Sequence, residues 1–424
     1  MSDSIQDFLS KLHHPALASV DLKLDRMWRL LSLLGSPQKR LPPVIHVAGT
    51  NGKGSLIIYL QGVFEAAGYR VHRYTSPHLV RFSERIVLAG KEIDNAYLEK
   101  LLKHIAPILQ TQPATFFEAT TALAFLAFAE KKADIFLMET GCGGRLDATN
   151  VIDKPLLTAI TPISFDHMEY LGKTIPAIAA EKAGILKGGI CCVIGRQPPE
   201  ALGVIARRAA EVSAPLYRMG HEWRVEGAEY QSSSRSLTLQ PSLAGKHQYD
   251  NAATAVACIE QLPQFSITDA HIQQGLANAV WPARLQKITE GKLRDILPPG
   301  IELWLDGGHN PQGGEVLAAW MHEQNKPIYL VCGMIKGKEM TSYLKHLAPY
   351  AKELVAITIP DEYQSQPAAQ VELAAKQAGM EAACAPSLEN ALQTLAAHAK
   401  TPAIICICGS LYLAGKVLAA NGET

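Results

Sequence analysis

Short apolar runs alternate with helical patterns along most of the chain. In the first part, the runs that predict strands are PPVIHVAG, ADIFLMET, LLTAITPIS and ICCVIG. The pattern restarts later with IELWLDGG, KPIYLVCGM, ELVAITIP and AIICICGS, which are separated by alanine-rich helical segments such as GEVLAAWMHEQ and VELAAKQAGM. Apolar strands that alternate with helices are typical of α/β domains built on mostly parallel sheets.

The restart of this pattern predicts two domains. A chain of 424 residues is too long for one ordinary hydrophobic core. The polar, proline-bearing segment TEGKLRDILPPG, residues 289–300, predicts a linker between domains 1–288 and 301–424. Within the first domain, EWRVEGAEYQSSSRSLTLQ has strand-like alternation around a serine-rich turn. We therefore expect a mostly parallel N-terminal sheet with a small antiparallel excursion, followed by a smaller, Rossmann-like C-terminal α/β domain.

Composition and charge narrow the function classes. Hydrophobic residues make up 48% and charged residues 19%, as in ordinary globular proteins. Forty basic and forty acidic residues balance, which argues against a nucleic-acid partner. The N-terminus lacks the apolar core of a signal peptide, and no stretch reaches the roughly 18–20 apolar residues of a membrane span. The eight cysteines do not have metal-clasp spacing. We expect a cytoplasmic protein with reduced thiols and no membrane partner.

The segment HVAGTNGKGSL, residues 46–56, resembles a phosphate-binding loop in a shifted register. The common pattern G-x-x-x-x-G-K-[ST] places the hydroxyl directly after the lysine, whereas here Gly54 separates Lys53 from Ser55. The segment lies between an apolar strand and a helical pattern, which is the context that phosphate loops have. A solvent-facing lysine in a glycine-rich turn is the alternative. The context favours a special subclass of P-loop.

Polar residues that follow strands are further candidates. Glu139 ends the strand ADIFLMET, where a carboxylate in a P-loop protein can hold magnesium, although a solvated loop residue is the alternative. Asp166 and His167 end another strand, and a histidine at such a place more often caps or packs. Lys182 lies in a helical pattern, where the ordinary interpretation is a surface lysine paired with Glu181.

Three later residues surround the predicted linker. Asn251 lies in YDNAATAVACIE, Arg284 in WPARLQ and Asp306 in LWLDGGHNPQGG. Taken singly, Asn251 is explained as a helix cap, Arg284 as a solvated arginine and Asp306 as a turn former. Taken together, they make a candidate nucleotide site.

The ordered set of motifs resembles the folylpolyglutamate synthase/dihydrofolate synthase family, of the bifunctional bacterial type, within the Mur-type ATP-dependent amide ligases. The matching strings run through nearly the whole chain: VDLKLDR, HVAGTNGKGS, TSPHL, FFEATT, ETGCGGRLDATN, SFDHMEYLG, EKAGILK, NAATA, PARLQ, LDGGHNP and CGSLYLAG. GTNGKGS, GGRLDATN and EKAGI are individually specific. The shifted lysine–glycine–serine is this family's own version of the P-loop.

The resemblance implies a set of site residues. ATP contacts are implied for Gly49, Asn51, Gly52, Lys53, Gly54, Ser55, Asn251, Arg284 and Asp306. Magnesium, with two sites, is implied for Ser76, Glu139, His167 and a carbamylated Lys182. Catalytic roles fall on Lys53, Lys182 and His167. Substrate contacts are implied for Asp21, Phe117, Arg145, Leu146, Asp147 and Ala148, with His309 and Ser410 as candidates for binding the incoming glutamate.

The chain also departs from the family pattern. Lys23 stands in VDLKLDR where relatives often carry glycine. Gly307-Gly308 replaces a common valine–alanine pair, which we expect to loosen that turn without removing Asp306 or His309.

The implied activity is addition of L-glutamate to dihydropteroate and to the tails of reduced folates, through an acyl phosphate, by a monomer. A monofunctional folylpolyglutamate synthase is the nearest alternative. A Mur-type cell-wall ligase would need an additional N-terminal domain of about 100 residues, and only 48 residues precede Gly49. A small-molecule kinase would release a phosphorylated product, and a nucleotide-gated binding protein would not turn ATP over.

Overall fold

The computed structural model describes residues 22–422, so Asp21 lies outside the described residues. Contacts divide the chain into two compact units. Of the described residues, the first unit contains 22–163, 168–242 and 249–279, and the second contains 164–167, 243–248 and 280–422. Among the described residues, no helix combines the length and the apolar character that crossing a membrane requires.

The first unit is built on an eight-stranded sheet. Its strands are β1 (Val44–Ala48), β2 (Val71–Tyr74), β3 (Ile86–Leu88), β4 (Lys91–Glu92), β5 (Ile135–Glu139), β6 (Leu157–Ile160), β7 (Cys192–Ile194) and β8 (Leu216–Arg218), in the order β4-β3-β2-β5-β1-β6-β7-β8. The pairings from β2 to β8 are parallel, whereas β3 and β4 form an antiparallel edge. The predicted mostly parallel sheet is confirmed.

Helices flank this sheet. They are α1 (Asp25–Leu33), α2 (Lys53–Ala66), α3 (Asn95–Thr111), α4 (Phe116–Glu130), α5 (Met168–Leu171), α6 (Ile175–Ala183), α7 (Pro199–Val212), α8 (His247–Glu260) and α9 (Asp269–Ala277). Short 3-10 helices span Pro37–Arg40 and Phe82–Arg85. α4 is apolar through most of its length and buries eleven residues, because it packs in the core rather than on the surface.

The register of the central strands decides where polar residues meet. Val47 of β1 pairs with Glu139 of β5 on one side and with Ala159 of β6 on the other. The strands are parallel, so the loops that follow β1, β5 and β6 leave the sheet at the same edge. Ligands of open α/β sheets bind at this carboxyl edge.

The predicted antiparallel excursion is also confirmed. Strands β9 (Trp223–Glu226), β10 (Glu229–Ser232) and β11 (Ser236–Thr238) form a separate three-stranded antiparallel sheet. Glu260, at the end of α8, accepts hydrogen bonds from the Tyr217, Tyr230, Ser232 and Ser234 hydroxyls at 2.6–2.9 Å. One carboxylate therefore ties this small sheet to α8 and β8.

Replacing Gly275 by alanine is expected to destabilise the first unit by about 2–4 kcal/mol, because overpacking against backbone cannot relax cheaply. α9 crosses α2 so closely here that a Cβ atom on Gly275 would lie 2.3 Å from the Val63 backbone nitrogen. Urea unfolding measures the loss. Gly203 on α7 is the matched control, since the nearest atom to its Cβ position is 3.9 Å away. An equally small effect at both positions would contradict the packing argument.

The second unit has a six-stranded sheet. Its strands are β12 (Gln286–Ile288), β13 (Ile301–Leu305), β14 (Ile328–Cys332), β15 (Ala351–Ala356), β16 (Ala382–Cys384) and β17 (Ala403–Cys408), in the order β12-β13-β17-β14-β15-β16. All pairings are parallel except that of β12. Its helices are α10 (Pro311–His322), α11 (Met340–Leu347), α12 (Ala368–Gln377), α13 (Leu388–His398) and α14 (Leu411–Asn421).

Segment 289–300 belongs to this second unit. It contains a 3-10 helix, Arg294–Ile296, between the buried residues Leu293 and Leu297. The amide of Leu293 donates to Asn421 Oδ1 in α14 at 3.1 Å. The proposed limits 1–288 and 301–424, with 289–300 as a linker, stay predictions.

Candidate active site

The loop after β1 is shaped as a phosphate-binding loop. The amides of Thr50 and Asn51 donate to the Pro162 carbonyl at 2.9 and 3.3 Å, which fixes the loop to the chain after β6. Gly52, with φ of 85°, occupies the N-cap of α2, and the helix begins at Lys53. A Cβ atom on Gly52 would lie 2.5 Å from Asn251 Oδ1, so α8 packs against the loop. The helix N-terminus therefore directs its unsatisfied amides toward the carboxyl edge of the sheet.

Lys53, Glu139 and Ser76 are brought together at this edge. Lys53 Nζ donates to the carbonyls of Gly49 and Thr50 at 3.2 and 3.1 Å, and lies 3.8 Å from Glu139 Oε1. The second oxygen of the buried Glu139 side chain accepts the Ser76 amide at 3.1 Å. The predicted phosphate lysine and the predicted carboxylate ligand are thus neighbours, as the strand register requires.

Lys182 lies in the same place and is not a surface lysine. Its side chain is buried in the last turn of α6, and Nζ donates to the Gly49 carbonyl at 2.7 Å. Lys53 and Lys182 therefore share one acceptor, although the two residues are far apart in the sequence. Two ammonium groups on one carbonyl repel each other and favour an additional negative group between them.

The glycine turn after β5 is organised by Asp147. Its carboxylate accepts the amides of Gly141 and Cys142 at 2.9 and 2.8 Å, and the Thr149 amide and hydroxyl at 3.0 and 2.5 Å. Burial raises the pKa of Asp147, against the effect of these hydrogen bonds. His46 Nε2 lies 2.8 Å from Thr149 Oγ1. Since that hydroxyl donates to Asp147, it accepts from His46, whose pKa burial lowers to about 3.

The other predicted substrate contacts surround this turn. The Phe117 ring covers Gly141, since a Cβ atom there would lie 2.4 Å from Phe117 Cζ. Arg145 forms a two-pronged ion pair with Glu181 at 2.8 and 3.1 Å, next to Lys182 in α6. Leu146 is half-buried and Ala148 is buried. Their contacts with a substrate stay predictions.

Asp306 and Arg284 meet in the second unit. Asp306, at the end of β13, accepts the Leu285 amide at 3.0 Å and the Gly308 amide at 2.8 Å. Arg284 directly precedes Leu285, and its Nη1 donates to the Ala283 carbonyl at 3.0 Å. One oxygen of Asp306 therefore holds the turn that presents Arg284, and the other holds the turn at Gly308. A contact of either residue with a nucleotide stays a prediction.

Ser410 lies in the loop between β17 and α14, and His309 lies in the loop between β13 and α10. Ser410 is the N-cap of α14, and its hydroxyl accepts the Tyr412 amide at 3.1 Å. His309 Nδ1 lies 3.0 Å from the Gly307 carbonyl. A carbonyl only accepts, so Nδ1 carries a proton. Their binding of glutamate stays a prediction.

The sequence interpretation considered Asp166 only as a residue at a strand end, without a site role, and missed Lys338. Within the second unit, Asp166 accepts Lys338 Nζ at 2.5 Å and Asn310 Nδ2 at 3.1 Å, and His309 Nε2 lies 3.5 Å away. Burial opposes ionisation, but His309, Lys338 and His167 together hold the pKa of the Asp166 carboxyl well below its usual range. Its Oδ1 also accepts the amide of His167, which has φ of 50°. The position of Lys338 in the loop between β14 and α11 was the available signal.

The side chains beside the phosphate-binding loop are suitable magnesium ligands. In residues 22–422, no group of three or more His, Cys, Asp and Glu side chains is close enough to hold a metal by itself. Magnesium does not need such a cage, because it commonly uses one or two carboxylates together with phosphate oxygens and water. Glu139 and the Ser76 hydroxyl offer hard oxygen donors beside the phosphate loop.

Two families match the chain. Residues 47–259 match the Mur ligase middle domain, and residues 290–420 match the dihydrofolate synthetase C-terminal domain. The dihydrofolate synthase/folylpolyglutamate synthase of Bacillus subtilis is 38% identical over 373 residues, or 83% of this chain and 84% of that protein. The first unit and its loop thus define a Mur-type ligase.

Solved structures of related proteins match this chain over 99% of its length. E. coli FolC in complex with DHPP and ADP has a TM-score of 0.88 and 29% identity, and covers 99% of this chain and 97% of its own. A bifunctional folylpolyglutamate synthase/dihydrofolate synthase with Mn, AMPPNP and L-glutamate bound has a TM-score of 0.87 and 31% identity, with 99% and 98% coverage. This chain belongs to the dihydrofolate synthase/folylpolyglutamate synthase family.

Proposed function

We propose that this chain is an ATP-dependent acid–amino-acid ligase that joins L-glutamate to dihydropteroate, forming dihydrofolate, and to the tails of reduced folates. The convergence of Lys53, Lys182 and Glu139 beside Gly49 carries the proposal. The half-buried Lys53 at the start of α2 and the buried Lys182 of α6, which share the Gly49 carbonyl, suit a reaction in which phosphate charge accumulates. Family membership identifies the acceptor class as a pteroate or folate carboxylate.

A carboxylate needs activation before it forms an amide, because its oxygen is a poor leaving group. In the first step, a carboxylate oxygen attacks the γ-phosphorus of ATP, and ADP leaves. In the second step, the glutamate amino group attacks the acyl carbon, loses a proton, and inorganic phosphate leaves. Lys53 and the amides at the start of α2 stabilise the charge on the transferring phosphoryl group.

Glu139, Ser76 and His167 would hold magnesium, with a second ion at a carbamylated Lys182. Magnesium, when bound, neutralises charge on the phosphate oxygens. Carbamylation would convert the Lys182 ammonium into an anionic group beside Lys53, which removes the repulsion between two cations on the Gly49 carbonyl. This change of sign would lower the cost of burying a second lysine beside Lys53.

We propose separate groups of side chains for the pterin, the nucleotide and the glutamate. Phe117 and the segment Arg145–Ala148 surround the glycine turn and are proposed to contact the pterin. Asn251, Arg284 and Asp306 are proposed to serve the nucleotide, either directly or by holding the turn that presents Arg284. His309 and Ser410 are proposed to bind the incoming glutamate. We further propose a cytoplasmic monomer, a location consistent with eight free thiols.

An ADP-release assay with ATP, magnesium and glutamate tests the function. We expect turnover with dihydropteroate and with a reduced folate monoglutamate, because the chain belongs to a family with bifunctional members. Omission of glutamate is the control for hydrolysis, and mass spectrometry identifies the amide product. Turnover with the reduced folate alone would establish a monofunctional synthase. A stable phosphorylated product without amide would contradict ligation, and binding without turnover would contradict catalysis.

A further inference from the structure

The turn that presents Arg284 has a strained backbone. Ala283 and Leu285, the two neighbours of Arg284, have φ of 57° and 46°, in the left-handed region that non-glycine residues rarely adopt. Residues that follow β13 hold the turn in this conformation by hydrogen bonds. Leu285 donates its amide to Asp306 Oδ2 at 3.0 Å, and the Gly307 amide donates to the Ala283 carbonyl at 2.9 Å. These contacts fix the backbone at Arg284, and the Ala283 carbonyl also accepts Arg284 Nη1 at 3.0 Å.

Because Gly307 has no side chain, the ends of the Arg284 and Leu411 side chains can pack against its backbone. A Cβ atom on Gly307 would lie 2.3 Å from Leu411 Cδ2 and 2.9 Å from Arg284 Nη1. The space that a side chain at position 307 would fill therefore holds the end of Leu411, and the Arg284 guanidinium lies against the same spot. Gly307 has no positive φ, so its backbone conformation is open to any residue. The need for glycine here is steric.

Leu411 is the first residue of α14, directly after the N-cap Ser410. The atoms that a Cβ on Gly307 would meet are the ends of two flexible side chains rather than backbone. A larger residue is therefore expected to move Arg284 and Leu411 rather than to prevent folding. Displacement of Leu411 acts on the first turn of the helix that Ser410 caps.

We propose that Gly307 is a positioning residue that sets the place of the Arg284 guanidinium and, through Leu411, the start of α14. This inference rests on the proposed roles of Arg284 toward the adenine nucleotide and of Ser410 toward glutamate. Gly307 then accommodates Leu411, whereas the Gly308 amide donates to Asp306 Oδ1 at 2.8 Å and holds the turn.

Replacing Gly307 by alanine tests the proposal on the full-length enzyme. The KM for ATP and the Kd for ADP are expected to rise about tenfold, as when one charged hydrogen-bonding contact is displaced. The KM for glutamate is expected to rise about threefold, whereas the KM for dihydropteroate and the unfolding midpoint stay unchanged. ADP binding by calorimetry needs no turnover, so it gives a result even if the acceptor substrate differs from the one proposed.

A second substitution that restores binding distinguishes a positioning role from a general loss of structure. The double variant Gly307→Ala/Leu411→Ala removes the atom at 2.3 Å but keeps the approach of 2.9 Å to Arg284 Nη1, so its KM for glutamate is expected to return to within about twofold of the Leu411→Ala value, whereas its Kd for ADP stays raised. Gly203→Ala is the glycine-to-alanine control. An unchanged Kd for ADP in Gly307→Ala, or a double variant whose KM for glutamate is as high as that of Gly307→Ala, would overturn the inference. A wild-type enzyme that binds ADP but ligates no pteroate or folate would instead refute the proposed function.

Discussion

Replacing Lys182 by alanine is expected to reduce ATP-dependent ligation about a thousandfold, comparable with the loss of a strong electrostatic group in other enzymes. The side chain is buried and its Nζ lies 2.7 Å from the Gly49 carbonyl, which it shares with Lys53. A carbamate at this position would supply the negative charge that the two lysines lack. ADP release with dihydropteroate and glutamate measures the loss, and added short-chain carboxylic acids are expected to restore part of the activity.

Lys182→Arg distinguishes the carbamate from a plain cation. Arginine retains the positive charge but has no amine to carbamylate, so we expect it to be as inactive as alanine. Lys173→Ala, on an exposed position before α6, is the matched control and should keep full activity. Full activity of Lys182→Arg would assign the role to the ammonium group, and full activity of Lys182→Ala without added acids would remove the residue from catalysis.

Replacing Gly49 by alanine is expected to abolish nucleotide binding and to destabilise the protein by about 3–5 kcal/mol, because strain and overpacking add. Gly49 has φ of 148°, and a Cβ atom there would lie 1.8 Å from Thr161 Oγ1 at the end of β6. The carbonyl of the same residue accepts both Lys53 and Lys182. Movement of this residue would therefore displace both lysines. Urea unfolding and ADP calorimetry measure the two effects.

Gly68 is the matched control for the backbone conformation. Its φ is 84°, but no atom lies within 4 Å of its Cβ position. Gly68→Ala should therefore cost about 1 kcal/mol through conformational strain alone and leave ADP binding intact. If Gly49→Ala behaved in the same way, the close approach to Thr161 would not be a constraint.

The elements with a strong local pattern were predicted well. The four apolar runs of the C-terminal half became β13, β14, β15 and β17, and the shifted phosphate loop leads into α2 at Lys53. These elements are buried, and their apolar residues carry the signal. The antiparallel edge strands β3 and β4 were not predicted, because they are short and β4 is exposed. Strand order was also beyond prediction, since parallel pairing depends on contacts between distant segments.

The site shows the same division. Asp147 and Asp306 were predicted as contacts of substrate and nucleotide. In the structure, each carboxylate accepts hydrogen bonds from backbone amides. The partners of Asp147 are near it in the sequence, but the Leu285 amide that Asp306 accepts is 21 positions away and has no local signature. Asp166 and Lys338 are 172 positions apart, and their ion pair has no local signature. His167, taken singly, was interpreted as a residue that more often caps or packs.

By itself, the sequence determined the α/β class, the phosphate loop and the resemblance to the ligase family, because periodic burial and motif spacing are local properties of the chain. Only the tertiary structure decided that Lys182 shares the Gly49 carbonyl with Lys53, and that Leu411 occupies the space beside Gly307. Those contacts depend on which strands pair and on how side chains fill the remaining volume. Packing of that kind is set by the whole fold and leaves no pattern in any one segment.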